Sequence, residues 1–369
     1  MGTSPKTKIF FLAPYPFGRV ASQRFRFEQY WDVLEEHYKI EFQSFLSESS
    51  FNILYQKGRL LKKTAGVISG FLRRFFILFR LFRFDYIFIH REVTPVGPPV
   101  FELIIAKILR KRIIYDFDDA IWLSNTSGEN MLAAFAKCHW KVKYICSWSV
   151  KITCGNDFLC DFAKKFNENV FYLPTTLDLD KISVLKNDSK SKTALKTIGW
   201  TGTHSTLKYL HSLVPILQDL QKHVVFRFVV IADKDPELPL ENYEFKPWNK
   251  STEWDDLATL DVGLMPLEST EWEEGKCGFK ALQYMALGIP ALASPTGVNK
   301  RIIASGVNGF ICDSIEDWKK GILAVLNENA LREQFSINGR KKIEEDYSKK
   351  AWAKMFVETL TTVKDLVSR

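Results

Sequence analysis

The sequence lacks the features that mark membrane-spanning, disulfide-rich and metal-binding proteins. No apolar stretch approaches the roughly 20 residues that cross a bilayer, and the first residues, Met1–Lys6, contain no apolar signal region. The six cysteines form no CxxC pair and show no metal-ligand spacing. Internal repeats and low-complexity segments are also absent from the sequence. We therefore expect a cytoplasmic protein with reduced thiols, no bound metal and no cofactor.

The chain carries an excess of positive charge. Its 51 lysine and arginine residues outnumber 43 aspartate and glutamate residues, which gives a formal net charge of +8 and a pI near 9.0. A basic protein suits an anionic partner, such as a membrane surface, a nucleic acid or a phosphorylated substrate. Because the basic residues cluster with aliphatic ones and no nucleic-acid-binding motif occurs, we do not expect nucleic acid to be the partner.

Buried strands alternate with helices along the first half of the chain. Apolar runs predict strands at Lys8–Ala13, Tyr86–Ile89, Arg112–Tyr115, Val150–Thr153 and Val170–Leu173. Between them, Ser22 can cap a helix that runs to about Glu36, and another helix is predicted from Val100 to Arg110. Strands that alternate with helices in this way form βαβ units and a parallel sheet.

A second series of strands begins after the polar stretch Asn187–Thr193, which is typical of a linker. Its predicted strands are Thr197–Trp200, Val225–Ile231, Val262–Pro266, Pro290–Ala293 and Gly309–Ile311. A last helix is predicted from about Lys349 to Val367. The 369 residues are enough for two domains. The sequence therefore predicts an α/β protein of two Rossmann-like domains, with a ligand in the cleft between the carboxyl ends of their strands.

The segment Glu274–Ser294 carries the most specific signal in the chain. It begins as a polar loop that contains Gly278, continues as the predicted helix Phe279–Leu287, and ends as a short apolar strand. A glycine-containing loop before a helix presents backbone N–H groups and the positive end of a dipole. Because Lys276 and Lys280 add two cations, the segment predicts a phosphate-binding site.

This segment, with its Met-Ala-x-Gly-x-Pro run, resembles the donor-binding signature of GT-B glycosyltransferases of family four, the glycosyl transferases group 1. The resemblance extends over nearly the whole chain. It implies a GT-B fold with an N-terminal acceptor domain at residues 1–182 and a C-terminal nucleotide-sugar donor domain at residues 193–349. It also implies that the last helix, within residues 350–369, crosses back to the N-terminal domain.

The chain departs from the family at several charged positions. The two glutamates that flank a seven-residue gap in the family are replaced here by Gly275 and Gln283, and the loop after the first donor-domain strand has no arginine. A glutamine can still accept a hydrogen bond from one ribose hydroxyl and donate one to another. We expect Lys276 and backbone amides to neutralise the diphosphate, with His204 or Lys208 assisting. Alternatively, His204 caps a helix and Lys208 is a solvated surface lysine.

The resemblance also implies roles for a glycine-rich loop and a tryptophan. The loop Gly199–Thr206 would hold the donor pyrophosphate, and a glycine within it would allow close approach of the backbone. Trp248 follows the position where the family contacts the base, so its ring either stacks on the base or packs in the core. The implied donor-binding residues are Gly202, Thr203, His204, Trp248, Lys276, Gly278, Phe279, Lys280 and Gln283.

Three carboxylates follow the third predicted strand, in the run Asp116–Asp119. Carboxylates at the carboxyl end of a strand are rarely buried for packing. We expect Asp118 or Asp119 to orient an acceptor hydroxyl, accept its proton or bind the donor sugar. His90 and Glu92 are alternative proton acceptors, although His90 can instead have a structural role. The DxD pair is also similar to the metal motif of GT-A glycosyltransferases, but that fold has a single domain and another strand order.

Arginines follow the first strand of the chain. Arg19 and Arg24 can bind an anionic acceptor or the donor phosphate. Arg26 can do the same, or it can be a solvated residue on a helix face. The residue types alone do not separate these alternatives.

Residues 57–84 contain eight lysines and arginines, many large apolar side chains and no acidic residue. On a helical wheel the arginines fall on roughly one half of the helix. Basic groups beside large apolar ones suit an anionic lipid surface. Alternatively, the helix packs in the core and its arginines extend outward.

Together with these patterns, the resemblance implies a glycosyltransferase that moves a sugar from a UDP- or GDP-linked donor to a hydroxyl of a glycan or lipid-linked acceptor. The resemblance implies bacterial surface polysaccharide or glycolipid synthesis, retention of the anomeric configuration and no obligatory metal. The expected location is the cytoplasm, peripheral on the inner face of the cell membrane. The replaced glutamates leave a rival: a catalytically silent nucleotide- or glycan-binding subunit of a glycosyltransferase complex.

Overall fold

The computed structural model describes residues 6–54, 56, 58–124, 136–182 and 195–361. The chain divides into two compact units. The N-terminal unit contains the chain up to Thr175 together with the chain from Trp352, and the C-terminal unit contains Thr176–Ala351. The predicted linker, Asn187–Thr193, lies outside the described residues.

The N-terminal unit contains a six-stranded parallel sheet in the order β2-β1-β3-β4-β5-β6. Its strands are Lys8–Ala13 (β1), Lys39–Ser44 (β2), Tyr86–His90 (β3), Arg112–Phe117 (β4), Lys151–Cys154 (β5) and Val170–Tyr172 (β6). The register sets His90 opposite Asp116, and Asp116 opposite Thr153. Polar residues of three strands are therefore neighbours at the carboxyl end of the sheet.

The helices of this unit lie on both faces of the sheet. They are Ala21–Arg26 (α1), Trp31–His37 (α2), Glu48–Asn52 (α3), Leu60–Leu81 (α4), Val100–Leu103 (α5), Lys141–Trp148 (α6) and Asp157–Lys164 (α7). A 3-10 turn at Glu28–Tyr30 joins α1 to α2, and a π-helical segment at Ile104–Ile108 continues α5.

The direction of each crossover decides which face a helix covers. The connection from β1 to β2 runs one way across the sheet, whereas the connections from β2 to β3, β3 to β4 and β4 to β5 run the other way. Because such crossovers are right-handed, α1 and α2 cover one face, and α4, α5 and α6 follow one another on the opposite face. The first face packs Ile9 and Phe11 against Phe27 and Tyr30.

Two features of the N-terminal unit differ from the prediction. β2 was not predicted, because this edge strand is only half-buried and lacks an unbroken apolar run, yet it pairs with β1 along its whole length. The predicted single helix from Ser22 to Glu36 is wrong, since the chain breaks at Phe27, whose φ is −133°. Ser22 is not its cap: α1 begins after Val20, which makes no side-chain capping bond.

The C-terminal unit contains a second six-stranded parallel sheet, in the order β12-β11-β10-β7-β8-β9. Its strands are Thr197–Gly202 (β7), Arg227–Ala232 (β8), Tyr243–Pro247 (β9), Val262–Met265 (β10), Ala291–Ala293 (β11) and Gly309–Ile311 (β12). β9 was not predicted; like β2, it is a half-buried edge strand, and it ends in a proline.

The helices of the C-terminal unit complete a doubly wound domain. They are Leu207–His211 (α8), Val214–Gln221 (α9), Glu253–Ala258 (α10), Glu271–Glu274 (α11), Phe279–Ala286 (α12), Asn299–Ile302 (α13), Ile315–Asn327 (α14) and Asn329–Asp346 (α15). The core between β7, β8, β10 and their helices is apolar and includes the fully buried side chains of Trp200, Leu217 and Phe228.

The last described helix, Lys349–Thr359 (α16), returns the chain to the N-terminal unit. The ring of Phe356 lies 4.6 Å from that of Tyr30 and 6.5 Å from that of Phe88, between ring centroids. Leu360 is fully buried in the same cluster. The part of the predicted helix beyond residue 361 lies outside the described residues.

Helix α4 exposes many of its large apolar side chains and buries an arginine, which does not fit the alternative of a core helix whose arginines extend outward. Arg74 is completely buried and donates to the carbonyl oxygens of Ala13, Gln43 and Val93 at 2.8–3.1 Å. The exposed large side chains of the helix are Leu60, Leu61, Ile68, Leu72, Phe75, Phe76 and Phe79. Within the described part of the chain, no helix is long and apolar enough to cross a membrane.

Candidate active site

Asp116 lies at the centre of a buried hydrogen-bonded cluster at the carboxyl end of β4. His90 Nδ1 is 2.7 Å from its Oδ2, and Thr153 Oγ1 donates to its Oδ1 at 2.7 Å. Arg26 donates to both oxygens, through Nε at 3.3 Å and through Nη2. Asp116 and Arg26 are each 1% exposed. The expectation of an unburied carboxylate is therefore wrong for Asp116, and Arg26 does not lie on a solvated helix face.

The cluster keeps Asp116 ionised. Burial alone raises the pKa of a carboxyl group, but here the charge of Arg26 and the hydrogen bond from His90 outweigh it and hold the pKa of Asp116 well below its usual range. His90 is fully buried, and its Nε2 has no hydrogen-bond partner among the described residues. This placement favours the structural alternative for His90, because solvent does not reach the ring.

Asp118 and Asp119 are joined by Arg91, a residue for which no role was predicted. Arg91 Nε donates to Asp118 Oδ1 at 2.7 Å, and Nη2 donates to Asp119 Oδ2 at 2.6 Å. Asp118 is 8% exposed. The two negative charges outweigh the burial of Arg91 and raise its pKa above the ordinary value. The three side chains together carry a net charge of −1.

Arg91 holds an unusual backbone conformation directly after β3. Its φ of 61° lies in the left-handed region, which non-glycine residues rarely adopt. Its N–H donates to the carbonyl oxygen of Asp116 at 2.7 Å, and its own carbonyl oxygen accepts from Tyr115 Oη at 2.7 Å. A role for Arg91 could have been predicted from its position in the sequence, between His90 and Glu92 at the end of a strand. The carboxylates follow the neighbouring strand.

The remaining predicted groups of the N-terminal unit have partners of their own. Glu92 pairs with the buried Lys141 at 2.8 Å. Arg19 is exposed and bonds Glu48 at 2.6 Å. Arg24 stacks its guanidinium over the ring of Phe25, 4.8 Å from the centroid. Each of these three groups therefore has a partner other than Asp118 or Asp119.

In the C-terminal unit, the loop after β7 is a compact turn. Thr203 and Thr206 cap it reciprocally, and the backbone N–H of His204 donates to Asp233 Oδ1 at 2.6 Å. The ring of His204 bonds the other oxygen of Asp233, also at 2.6 Å. A Cβ on Gly202 would lie 2.3 Å from the ring of Trp200. The glycine is therefore required by close packing within the protein, a reason that the sequence did not reveal.

The helix α12 lies beside this loop in space. Gly278 is its N-cap residue, with φ of 68°, and a Cβ there would lie 2.2 Å from Ile302 Cδ1. Lys280 Nζ lies 5.6 Å from the centroid of the Trp200 ring. The hydroxyl of Tyr284 accepts from the N–H of Thr201 at 3.0 Å. These contacts bring the predicted phosphate-binding segment beside the end of β7.

Phe279 and Lys276 flank the beginning of α12. Phe279 is the first residue of the helix and is half-buried. Lys276 Nζ lies 4.9 Å from the centroid of the Trp272 ring, three residues before the helix. Lys208, by contrast, pairs with Glu268 at 3.4 Å and lies 3.6 Å from the buried Glu273. Lys276 thus lies just before α12, and Lys280 lies in its first turn.

Gln283 is paired with a carboxylate that the sequence did not single out. Its Nε2 donates to Glu253 Oε1 at 3.1 Å, and both side chains are buried. Glu253 is the first residue of α10. Trp248, directly after β9, is 36% exposed, so the structure favours an open ring over core packing. Position 283 itself is a glutamine, but the carboxylate of Glu253 on another helix lies beside it.

Residues 184–342 match the family model described as glycosyl transferases group 1. The matched segment lies within the C-terminal unit. Glu253, Lys276, Lys280 and Gln283 all lie within the matched segment. No curated protein sequence matches the chain.

Solved structures share the fold over both units. Sucrose-phosphate synthase of Thermosynechococcus elongatus has a TM-score of 0.70 and 11% identity, covering 98% of this chain and 100% of that one. Anabaena HepE in complex with UDP-glucose has a TM-score of 0.64 and 14% identity, covering 96% and 99%. The lipopolysaccharide outer core galactosyltransferase WaaB has a TM-score of 0.62 and 12% identity, covering 96% and 99%. At such identities the likeness shows the fold alone, and the chain has the GT-B fold.

Proposed function

We propose that the chain moves a sugar from a nucleoside diphosphate sugar, UDP- or GDP-linked, to a hydroxyl of a glycan or lipid-linked acceptor. The observation that carries this proposal is the beginning of α12 within the matched family segment. There, Gly278 is the cap, Lys276 lies three residues before the helix, and Lys280 points toward the end of β7. A helix N-terminus with two lysines suits a diphosphate.

The same groups would stabilise the leaving group. As the bond from the anomeric carbon to the diphosphate breaks, negative charge grows on the diphosphate oxygen. Preorganised N–H groups, the helix dipole and lysine charge act on that oxygen without further rearrangement. Lys276 is the proposed main cation because it lies directly before α12, three residues ahead of the first helical residue.

Gln283 and Trp248 would bind the nucleoside. The Nε2 of Gln283 is held by Glu253, which leaves its carbonyl oxygen to accept a hydrogen bond from a ribose hydroxyl. The partly exposed ring of Trp248 offers a face to the base. Anabaena HepE, which shares the fold, was solved as a complex with UDP-glucose, and this supports a nucleotide-sugar donor with a hexose.

The acceptor side would use the carboxylates that Arg91 holds. Asp118 or Asp119 would orient the acceptor hydroxyl and accept its proton, with retention of the anomeric configuration and without a metal. Within the described residues, no group of three or more His, Cys, Asp or Glu side chains is arranged to hold a metal ion. WaaB, which also shares the fold, is a lipopolysaccharide outer core galactosyltransferase, and this supports a role in bacterial surface polysaccharide or glycolipid synthesis.

The reaction would take place at the inner face of the cell membrane. The basic and apolar residues of the 57–84 region would lie against an anionic lipid surface. Residue 57 itself lies outside the described residues. Such a location brings a water-soluble donor and a lipid-linked acceptor to one enzyme.

The rival is a silent nucleotide- or glycan-binding subunit, which the replacements at Gly275 and Gln283 support. A panel of UDP- and GDP-sugars separates the two functions. An enzyme releases nucleoside diphosphate from one donor, faster with an acceptor than without, whereas a silent subunit binds a nucleotide and releases none. Binding of no nucleotide at all contradicts both the enzyme and a nucleotide-binding subunit, and leaves only a glycan-binding subunit.

A further inference from the structure

The helices α4, α5 and α6 together expose an unusually apolar outer face. On α4, Phe75, Phe76 and Phe79 are 50%, 63% and 63% exposed, and the ring of Phe75 contacts the other two at 5.6 and 5.4 Å between centroids. An aromatic side chain left in water forgoes the free energy of burial. Three such rings in one cluster indicate a surface that is covered by something else.

The apolar face continues onto the next two helices. Beside α4, the helix of residues 100–108 exposes Val100, Leu103 and Ile108, and its Phe101 ring lies 6.1 Å from that of Phe71 on α4. Next in order, α6 packs against α5. It is preceded by Trp140, which is 51% exposed and stacks edge-on with Tyr144 at 5.7 Å.

The topology gives these three helices a common outward direction. All three belong to crossovers that run the same way across the sheet, so they follow one another on one face of it. Each buries its inner side against the strands. We call the exposed side chains of α4, residues 100–108 and residues 137–144 the three-helix surface.

The charges of the three-helix surface have one sign. Exposed basic residues on it and at its edge are Lys62, Lys107, Arg110, Lys137, Lys143 and Arg80, the last of which pairs with Glu41 of β2. Residues 58–84, 98–112 and 136–151 contain a single acidic residue, Glu102, which is fully buried. A surface that is both apolar and basic complements the interface of a bilayer with anionic headgroups.

We propose that the three-helix surface inserts into the interfacial layer of an anionic membrane. The phenylalanines and leucines reach the acyl boundary, the lysines and arginines contact lipid phosphates, and Trp140 and Tyr144 lie at the water boundary. The proposal rests on the proposed membrane-associated transfer reaction. It assigns most of the free energy of membrane binding to the insertion of apolar side chains from three helices. Binding should therefore persist in part at high salt, which screens charges and leaves apolar burial intact.

Vesicle flotation tests the insertion, with equal parts of phosphatidylcholine and phosphatidylglycerol against phosphatidylcholine alone. The variants are Phe75→Ser with Phe79→Ser on α4, and Leu103→Ser with Ile108→Ser on the second helix. Ile337→Ser is the matched control, since Ile337 is 62% exposed in the C-terminal unit. We expect each double variant to lower the partition coefficient by about tenfold or more, while the control binds like the unchanged protein.

Three outcomes overturn the proposal. The first is normal flotation of both double variants, and the second is a loss confined to Phe75→Ser with Phe79→Ser, which would restrict the contact to α4. The third is that the unchanged protein does not bind vesicles and sediments as a dimer, and that Phe75→Ser with Phe79→Ser dissociates this dimer. That result would make the surface an interface between copies of the chain. Circular dichroism melting confirms that each variant is folded.

Activity separates this proposal from the proposed function. Transfer to a soluble acceptor should survive in both double variants, since neither touches the donor-binding or carboxylate residues. If the unchanged protein binds vesicles but releases nucleotide from no donor, the result supports membrane insertion and contradicts the proposed transferase activity. If it transfers sugar but binds no vesicle, the result supports the proposed transferase activity and contradicts membrane insertion.

Discussion

Arg91 donates one hydrogen bond to Asp118 and one to Asp119, at 2.7 and 2.6 Å, from a backbone with φ of 61°. The arginine follows β3 and the carboxylates follow β4, which are neighbouring strands. One guanidinium therefore fixes the rotamers of two carboxylates that the sequence predicts to be functional. A fixed carboxylate loses little conformational entropy when it binds a substrate hydroxyl.

Replacing either carboxylate should lower turnover and spare nucleotide binding. Asp118→Asn and Asp119→Asn remove a proton acceptor of the acceptor hydroxyl, so the more important of the two should lower kcat by about 10² or more. Asp161→Asn is the control, because Asp161 has a 70% exposed side chain on α7 of the same unit. Kinetics and calorimetry with the nucleoside diphosphate measure the two effects. Normal kcat in both variants would remove these carboxylates from the reaction.

Activity should not need a divalent metal. Arg91 already compensates one of the two charges of Asp118 and Asp119, and a metal ion would have to displace it. We expect full turnover in excess chelator. Loss of turnover in chelator, with recovery on addition of Mg²⁺ or Mn²⁺, would instead support metal binding by the DxD pair.

The cluster around Asp116 should make stability depend on acid. The pKa of Asp116 is below its ordinary value of 3.8 in the folded protein, so the unfolded chain takes up the proton first as the pH falls. The stabilisation is present above pH 3.8 and is lost as the pH falls toward the folded pKa. Urea unfolding across this pH range should show that the free energy of unfolding falls less with acid for Asp116→Asn than for the unchanged protein. Parallel pH profiles would contradict the assignment.

Gln283 and Glu253 should act together in nucleotide binding. Gln283→Ala should weaken binding of the nucleoside diphosphate by about 1–2 kcal/mol through loss of a ribose hydrogen bond. Glu253→Ala should have a similar effect by releasing the Gln283 amide, and the double variant should be less than additive. Both variants should lose discrimination between a ribose and a 2′-deoxyribose nucleotide. Calorimetry measures these affinities, and equal discrimination in every variant would mean that the pair is only structural.

The sequence predicted the fold where burial is complete and missed it where burial is partial. Strands with both faces covered, such as β1 and β3, show unbroken apolar runs, and their bounds agree within one residue. The edge strands β2 and β9 are half-buried and have no such run. The break at Phe27 was not visible either, because the apolar spacing continues across it into α2.

The site was predictable in its residue types but not in its pairings. Strand ends and the glycine-containing segment predicted roles for Asp118 and Lys276, and these roles stay predictions. The partners Arg91 and Glu253 come from other elements of the chain, and only the sheet register and helix packing bring them near. For residues 57–84 the sequence favoured lipid contact, and this stays a prediction. The helical wheel did not reveal that Arg74 is buried, where it donates to backbone carbonyl oxygens inside the fold.

The kinetics of Lys276→Ala test the central claim most directly, because this claim makes the beginning of α12 the diphosphate site. Lys320→Ala is the matched control, since the side chain of Lys320 is 74% exposed on α14. With the donor identified from the panel of UDP- and GDP-sugars, Lys276→Ala should lower kcat/KM by about 10²–10³ while the control is unaffected. Near-normal kcat/KM in a folded Lys276→Ala variant would show that the diphosphate does not depend on this lysine.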